Sequence, residues 1–293
     1  MTSAFLDARA QLRRAGLRPK RSFGQNFLVA PHVLDKIARA CVPDAETARA
    51  HVIELGAGLG ALTRALVDRA AHVTAIERDR DLVPPLREDL AAFIDDGRLE
   101  VIEGDAQTAA FDALFAGAPA GAPRVVCGNL PYQITGKLIE SAVQQSAFVD
   151  RAVFMVQLEV AERLVAAPGS KTFGALTVFT SAAFDVRRLL EVSRGNFHPP
   201  PDVTSAVVVL DARRPPRALE TPTFRACVRA AFGQRRKTLR NAWSQLAPVD
   251  ALEAAAAHAG VSLAARGETL DVEDFARMAE ALEVTDRSSR PAP

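Results

Sequence analysis

Between residues 51 and 129 short apolar runs that read as strands alternate with helical spacings, and each run stops on a glycine or a polar residue. His51-Val52-Ile53-Glu54-Leu55 leads into Gly56-Ala57-Gly58-Leu59-Gly60 and then into a helical pattern with Leu62, Leu66 and Val67 on one side. His72-Val73-Thr74-Ala75-Ile76 ends at Glu77, Leu99-Glu100-Val101-Ile102 at Gly104-Asp105, and Arg124-Val125-Val126-Cys127 at Asn129. Such alternation leaves few solutions besides a mostly parallel sheet with helices on both faces, a Rossmann-like α/β domain. In an open sheet of this kind the ligand crevice lies at the carboxyl ends of the strands, so the four polar endings should converge.

The pattern continues with a strand at 151–157, helices near 159–167 and 174–183, and strands near 184–191 and 205–211. At Arg213-Arg214-Pro215-Pro216-Arg217 the composition shifts, as in a linker. Segments near 222–232, 236–246, 249–259 and 271–283 have helical periodicity and no strand pattern. The expected organisation is an α/β catalytic domain over 1–212 with a basic N-terminal arm, a small all-helical C-terminal domain over 213–285, and a disordered tail over 286–293.

The strand endings suggest chemistry. Gly56-x-Gly58-x-Gly60 after a strand is the turn that lets backbone approach a bound nucleoside. Glu77 is placed to bridge two ribose hydroxyls, which suits NAD and S-adenosylmethionine equally. Asp105, followed by Ala106, can accept a hydrogen bond from an adenine amine, or can simply cap a helix.

The fourth ending discriminates. Asn129-Leu130-Pro131-Tyr132 has no use in a dehydrogenase but describes a site for methylating an exocyclic amine. An adenine N6 lone pair is delocalised into the ring, so an enzyme must hold its N–H groups with fixed acceptors and let the nitrogen pyramidalise. The Asn129 side-chain oxygen and a backbone carbonyl at Pro131 are the expected acceptors. The Tyr132 ring offers a stacking surface to a flipped base, and Phe197, before the stiff Pro199-Pro200-Pro201 run, is expected to close its other face. Transfer should be an in-line displacement from a sulfonium, with the amine proton lost to water and no general base.

Other chemistries find little support. The three cysteines, Cys41, Cys127 and Cys227, are far apart, and the five histidines lack zinc-ligand spacing, so no metal is expected. No apolar run approaches a membrane span and the N-terminus lacks a signal-peptide core, so the cytoplasm is the expected location. The net charge of +1 conceals segregation: residues 1–39 carry eight basic side chains against two acidic, and 187–249 twelve against four. Two basic segments suit a phosphate backbone, and Arg235, Arg236, Lys237 and Arg240 are the expected RNA contacts. Arg225, Arg229, Arg236 and Arg240 would form one stripe on a continuous helix, which Gly233 could break.

With these residues in place, the chain resembles the KsgA/RsmA family of small-subunit (16S) rRNA adenine N6,N6-dimethyltransferases over about residues 18–280. The carrying segments are Arg18 to Leu28 (RPKRSFGQNFL), the glycine loop, Glu77, Gly104-Asp105-Ala106, Asn129 to Tyr132, Met155 to Arg163, Asn196 to Ser205, and Phe232 to Asn241. The resemblance implies a Rossmann-like class I methyltransferase domain and S-adenosyl-L-methionine as cofactor, contacted by Gln25, Asn26, Leu28, Gly56, Gly58, Glu77, Asp105, Ala106 and Asn129. It implies as substrate two adjacent adenines in the 3′-terminal hairpin of 16S rRNA, within the 30S subunit or its precursor, with a role in 30S biogenesis and action as a monomer. Leu158 stands where the family has lysine, and Phe173 where tyrosine is common. The alternatives are an Erm-type 23S rRNA adenine methyltransferase and an assembly factor acting mainly by binding.

Overall fold

The structure, a computed structural model, describes residues 7–289. Among these residues nine strands form: β1 (Phe27–Leu28), β2 (His51–Leu55), β3 (His72–Glu77), β4 (Leu99–Glu103), β5 (Arg124–Asn129), β6 (Arg151–Gln157), β7 (Phe184–Val192), β8 (Phe197–His198) and β9 (Ser205–Ala212). Seven of them make one sheet in the order β4-β3-β2-β5-β6-β9-β7, while β1 and β8 pair antiparallel as a separate ladder. Neighbours from β4 to β6 run parallel, and β9 is antiparallel to β6. All the strands predicted around the glycine loop form where the apolar runs lie.

Because side chains alternate between faces of a strand, residues two apart share a face. Val73 and Ala75, Val125 and Cys127, Val153 and Met155, and Val207 and Val209 all enter one buried cluster with Val33, Leu34 and Ile37 of the helix Pro31–Cys41 and Leu62 and Leu66 of the helix Ala61–Val67. The strand order reverses direction at β2, whose neighbours are β3 and β5. That switch point is where a crevice opens at the strand ends. Gly128 marks how tightly the strands meet there: a Cβ at this position would lie 2.4 Å from the Leu55 carbonyl oxygen.

The sequence pattern predicts one helix over 80–94. Two short ones form instead, Val83–Asp89 and Ala91–Asp95, because Leu90 leaves helical backbone (φ −116°, ψ 16°) as it is buried.

The chain divides into two compact units: residues up to Ala161 with Arg187–Ala212, and Glu162–Val186 with the residues from Arg213 onward. The boundary thus differs from the expected one at 212, since Glu162–Val186 goes with the helices. Its apolar helix Ala175–Ala183 explains why: Phe179 meets Phe224 edge-on at 6.2 Å and Phe173 meets Phe232 at 5.9 Å. Phe173 is 3% exposed, so the ring that stands in a tyrosine position is a core residue.

In the helical unit, Thr221 caps the helix Pro222–Gly233 by accepting from the Phe224 N–H, and the buried Trp243 donates to the Cys227 carbonyl at 2.9 Å. The helix predicted over 236–246 shrinks to Leu239–Ala242. The helix Val272–Ser289 runs through the first four residues of the segment expected as a disordered tail; residues 290–293 lie outside the described residues. Among the described residues, no helix is long and apolar enough to cross a membrane, and no group of three His, Cys, Asp or Glu could hold a metal.

Candidate active site

A cavity of about 460 Å³ opens at the ends of β2, β3 and β5, a size suited to a nucleoside-bearing ligand. Gln25, Asn26, Leu28, Gly56, Gly58, Glu77, Asp105, Ala106 and Asn129 all line it, together with Leu130, Pro131 and Tyr132. Residues from five separate sequence segments are thereby brought to one place.

The glycine loop has Gly56, Gly58 and Gly60 at φ of +79°, +59° and +79°, a conformation that side chains with a Cβ resist. That conformation turns the Gly58 N–H onto Glu77 Oε2 at 2.7 Å, while Oε1 accepts from the Asp79 N–H at 2.7 Å. Each carboxylate oxygen therefore keeps a lone pair for an outside hydroxyl. Burial pushes the Glu77 carboxyl up, and the backbone donors at Asp79 and Gly58 pull it partly back.

Asp105 takes the capping role its sequence position allows and also lines the cavity. It caps the turn Ala106–Thr108 by accepting from the Gln107 N–H at 3.0 Å, and it stands in the cavity wall with the Arg78 guanidinium 3.5 Å away. Gln25 lines the cavity too, but both ends of its amide are engaged: Oε1 accepts from the Lys20 N–H and Nε2 donates to Asp79, each at 2.7 Å. Beyond these bonds Oε1 keeps one lone pair and Nε2 one N–H.

At the tetrad, Asn129 Nδ2 donates to the Asn26 main-chain carbonyl at 2.8 Å. The amide is oriented by that bond, and Oδ1 has no hydrogen-bond partner among the described residues. The carbonyl expected as the second acceptor is corrected. Pro131 O already accepts from the Ile134 N–H at 3.1 Å and from Thr135 Oγ1 at 3.0 Å, because Pro131 begins the turn into the helix Thr135–Gln144. The carbonyl of Leu130, one residue earlier, carries no such bond among the described residues. Tyr132 is partly buried in the cavity wall, its hydroxyl 2.7 Å from Ser205 Oγ, and burial raises its pKa.

Phe197 does not line the cavity. It pairs with Leu28 in the β1–β8 ladder, is 2% exposed and belongs to the main core cluster. The expectation of a ring closing over the base is not met; ladder pairing directs this aromatic into the core instead.

The continuous arginine stripe also fails. The helix ends at Gly233, Arg225 is paired with Glu220, and Arg240 with Glu253 at 2.7 Å. Arg235 donates to the carbonyls of Lys171 and Phe173 at 2.9 and 3.1 Å, so it fastens a loop within the helical unit. Arg236 and Lys237 are exposed.

Sequence reasoning missed two acidic residues of this region. Glu54, 1% exposed, lines the cavity and accepts from the Thr63 hydroxyl at 2.5 Å. Burial pushes its carboxyl up to about 8, a rise that the Thr63 bond opposes and the Glu77 charge augments. A charge inside an apolar strand was the available signal. Asp79, 2% exposed, has no comparable signal, since Glu77-Arg78-Asp79-Arg80-Asp81 reads as a solvated charge run.

Comparison with known proteins bears on this geometry. Residues 16–283 match the family model described as ribosomal RNA adenine dimethylase. Proteins named ribosomal RNA small subunit methyltransferase A from Anaeromyxobacter sp. (strain K) and Myxococcus xanthus (strain DK1622) are 47% and 43% identical, each alignment covering 96% of this chain and 100% and 97% of the relative. Among solved structures, a dimethyladenosine transferase from Plasmodium falciparum is similar with a TM-score of 0.72 at 25% identity, covering 89% of this chain and 98% of that one. The 23S rRNA methyltransferase ErmE is similar with a TM-score of 0.64 at 29% identity, covering 88% of this chain and 100% of that one.

Proposed function

The chain belongs to the ribosomal RNA adenine dimethylase family, and from that premise we propose that it transfers methyl groups from S-adenosylmethionine to N6 of two adjacent adenines in the 3′-terminal hairpin of 16S rRNA, acting as a monomer on the 30S subunit or its precursor. It is an rRNA adenine dimethyltransferase of the small-subunit type. The large-subunit alternative is not favoured, because the small-subunit relatives match at higher identity over almost the whole chain.

The cavity fits the cofactor by its chemistry: a carboxylate with free lone pairs at Glu77 for a ribose diol, a carboxylate in the wall at Asp105, shared with Gln107 and Arg78, for an adenine amine, and a glycine turn at residues 56–60 that admits close backbone approach. Bound there, S-adenosylmethionine supplies an electrophilic methyl group. The protein's part is to hold the acceptor nitrogen. Asn129 Oδ1 and the Leu130 carbonyl accept the two N6 hydrogens, drawing the lone pair out of the ring and stabilising the charge that develops on nitrogen. Each such acceptor contributes about 3 kcal/mol in comparable sites, or roughly a hundredfold in rate. Tyr132 gives the extruded base a flat apolar surface. No proton acceptor with a matched pKa is needed beside N6, since the nitrogen becomes acidic once alkylated and its proton passes to water. Arg236 and Lys237 are the side chains of the basic segment best placed to meet phosphate, being exposed while Arg235 and Arg240 are held by partners within the protein.

The observation that carries this reading is the Asn129 amide, held by Asn26 so that its oxygen is left as an unfilled acceptor in the cavity wall. The test is Asn129→Ala, assayed for methyl transfer to undermethylated 30S particles and, in parallel, for 30S binding. Transfer should fall at least a hundredfold with binding retained. Undiminished transfer would remove Asn129 from the mechanism, and joint loss of both would favour a role in assembly by binding.

A further inference from the structure

Asp79 takes no part in the chemistry above, yet its carboxylate is buried and both of its oxygens accept hydrogen bonds. Oδ1 accepts from Lys20 Nζ at 2.6 Å and from the Asp81 N–H at 3.1 Å, and Oδ2 accepts from Gln25 Nε2 at 2.7 Å. Lys20 also reaches the exposed carboxylate of Asp81 at 2.6 Å, and its own N–H donates to Gln25 Oε1. The chain from Lys20 to Gln25 is thereby closed into a ring on Asp79. Among the described residues, the hydrogen bonds that tie residues 18–26 to the rest of the protein run to Asp79, Asp81 and Asn129.

Two routes lead from Asp79 to the reacting groups. Its N–H donates to Glu77 Oε1. Its carboxylate fixes Gln25, the next residue is Asn26, and the Asn26 carbonyl holds the Asn129 amide. Burial by itself would raise the Asp79 carboxyl; the bonds from Lys20, Gln25 and the Asp81 amide outweigh it and hold the group below its ordinary value, as a charged anchor.

We infer that Asp79 is a positioning residue for methyl transfer: it clamps the 20–26 segment so that the Asn26 carbonyl sets which way the Asn129 amide faces, and it steadies Glu77 from its own backbone. This rests on the role proposed for Asn129. It accounts for Lys20 and Gln25 within the Arg18–Leu28 motif, whose polar ends are all bonded into the clamp. A flexible arm would leave the Asn26 carbonyl free to move, and an asparagine amide without its donor contact turns over readily.

The test compares Asp79→Asn, Gln25→Ala and Asp81→Asn in the full chain. Single-turnover transfer at saturating S-adenosylmethionine and 30S reads the chemical step, and the side-chain amide resonance of Asn129, assigned by its disappearance in Asn129→Ala, reads its orientation independently of activity. Asp79→Asn and Gln25→Ala should each slow transfer tenfold or more, shift that resonance and leave 30S binding within twofold. Asp81→Asn removes the same charge from the same lysine without touching Gln25 or Glu77, and should stay within twofold of the parent. Equal losses in Asp79→Asn and Asp81→Asn, a slowed step with an unmoved resonance, or parental rates in the first two variants would each overturn the inference. Should Asp79→Asn fail to fold, Gln25→Ala cuts the route to Asn129 alone and gives the same readouts. If Asn129→Ala itself retains transfer, the underlying reading has failed instead.

Discussion

Replacing Glu54 with glutamine should change how stability depends on pH, and the size of the change follows from burial. Glu54 is held in β2 with the Thr63 hydroxyl as its hydrogen-bond donor, and its carboxyl titrates near 8 against an ordinary value of 4.5. Below pH 4.5 folded and unfolded chains both carry the proton, and above pH 8 both have lost it. Between these limits the folded state holds a proton that the unfolded state has released, so stability is greatest on the acid side and falls as pH rises. The slope approaches about 1.4 kcal/mol per pH unit, which sums to about 5 kcal/mol across the window, comparable with the whole stability of a marginal domain. Glutamine keeps the shape and an acceptor for Thr63 but does not titrate. Urea unfolding of both proteins at pH 5, 6, 7 and 8, without cofactor, should therefore show Glu54→Gln gaining on the parent by several kcal/mol from pH 5 to pH 8. His51, whose pKa burial lowers, titrates in both proteins and cancels in the difference. Parallel stability curves for the two proteins would mean that the carboxyl is solvated or ionised in the folded chain, and the burial argument would be wrong.

Gly128→Ala places a methyl 2.4 Å from the Leu55 carbonyl oxygen at the switch point, which only backbone movement can relieve, so it should cost on the order of 1–3 kcal/mol and depress transfer by displacing Asn129; a parental melting temperature and rate would contradict that close approach. Phe197→Leu keeps most of the buried volume, so calorimetry should show a loss of under about 1.5 kcal/mol and transfer should persist, whereas a collapse of transfer at retained stability would mean that the aromatic face meets the base after all. Replacing Arg236 and Lys237 by alanine should weaken 30S binding and flatten its salt dependence by about 0.7–0.9 in the log–log slope for each phosphate no longer neutralised, and an unchanged slope would take these two residues off the RNA.

The sheet was legible because its signals are local. Each apolar run between His51 and Asn129 ends on a residue that cannot prolong a buried strand, and every such ending appears at the cavity. The same locality explains what was misread. Phe197 precedes three prolines and looked like a ring braced at a surface, but a two-residue ladder with Phe27 and Leu28, some 170 positions earlier, turns it inward. The Arg225 to Arg240 spacing fits a helix, yet Gly233 ends that helix and Glu220 and Glu253 take two of the four arginines. The Pro131 carbonyl looked available because the sequence does not reveal that Ile134 and Thr135 fold back onto it.

The residues hardest to find are those whose partners are distant in sequence and polar on both sides. An asparagine amide is nearly symmetric in shape, and only its neighbours decide which end faces the substrate. At Asn129 the decision is made by a carbonyl, which can accept from the nitrogen but has nothing to donate to the oxygen. An aspartate there would set a carboxylate oxygen against the Asn26 carbonyl, and a serine would be too short to span from that carbonyl to a base. Asparagine supplies a donor for the protein and, in the proposed mechanism, an acceptor for the target. The identity of residue 129 thus depends on where Asn26 is held, and Asn26 is held through Gln25 by Asp79. The selectivity of the tetrad for an exocyclic amine is on this account a property of two segments 103 residues apart, joined by one hydrogen bond.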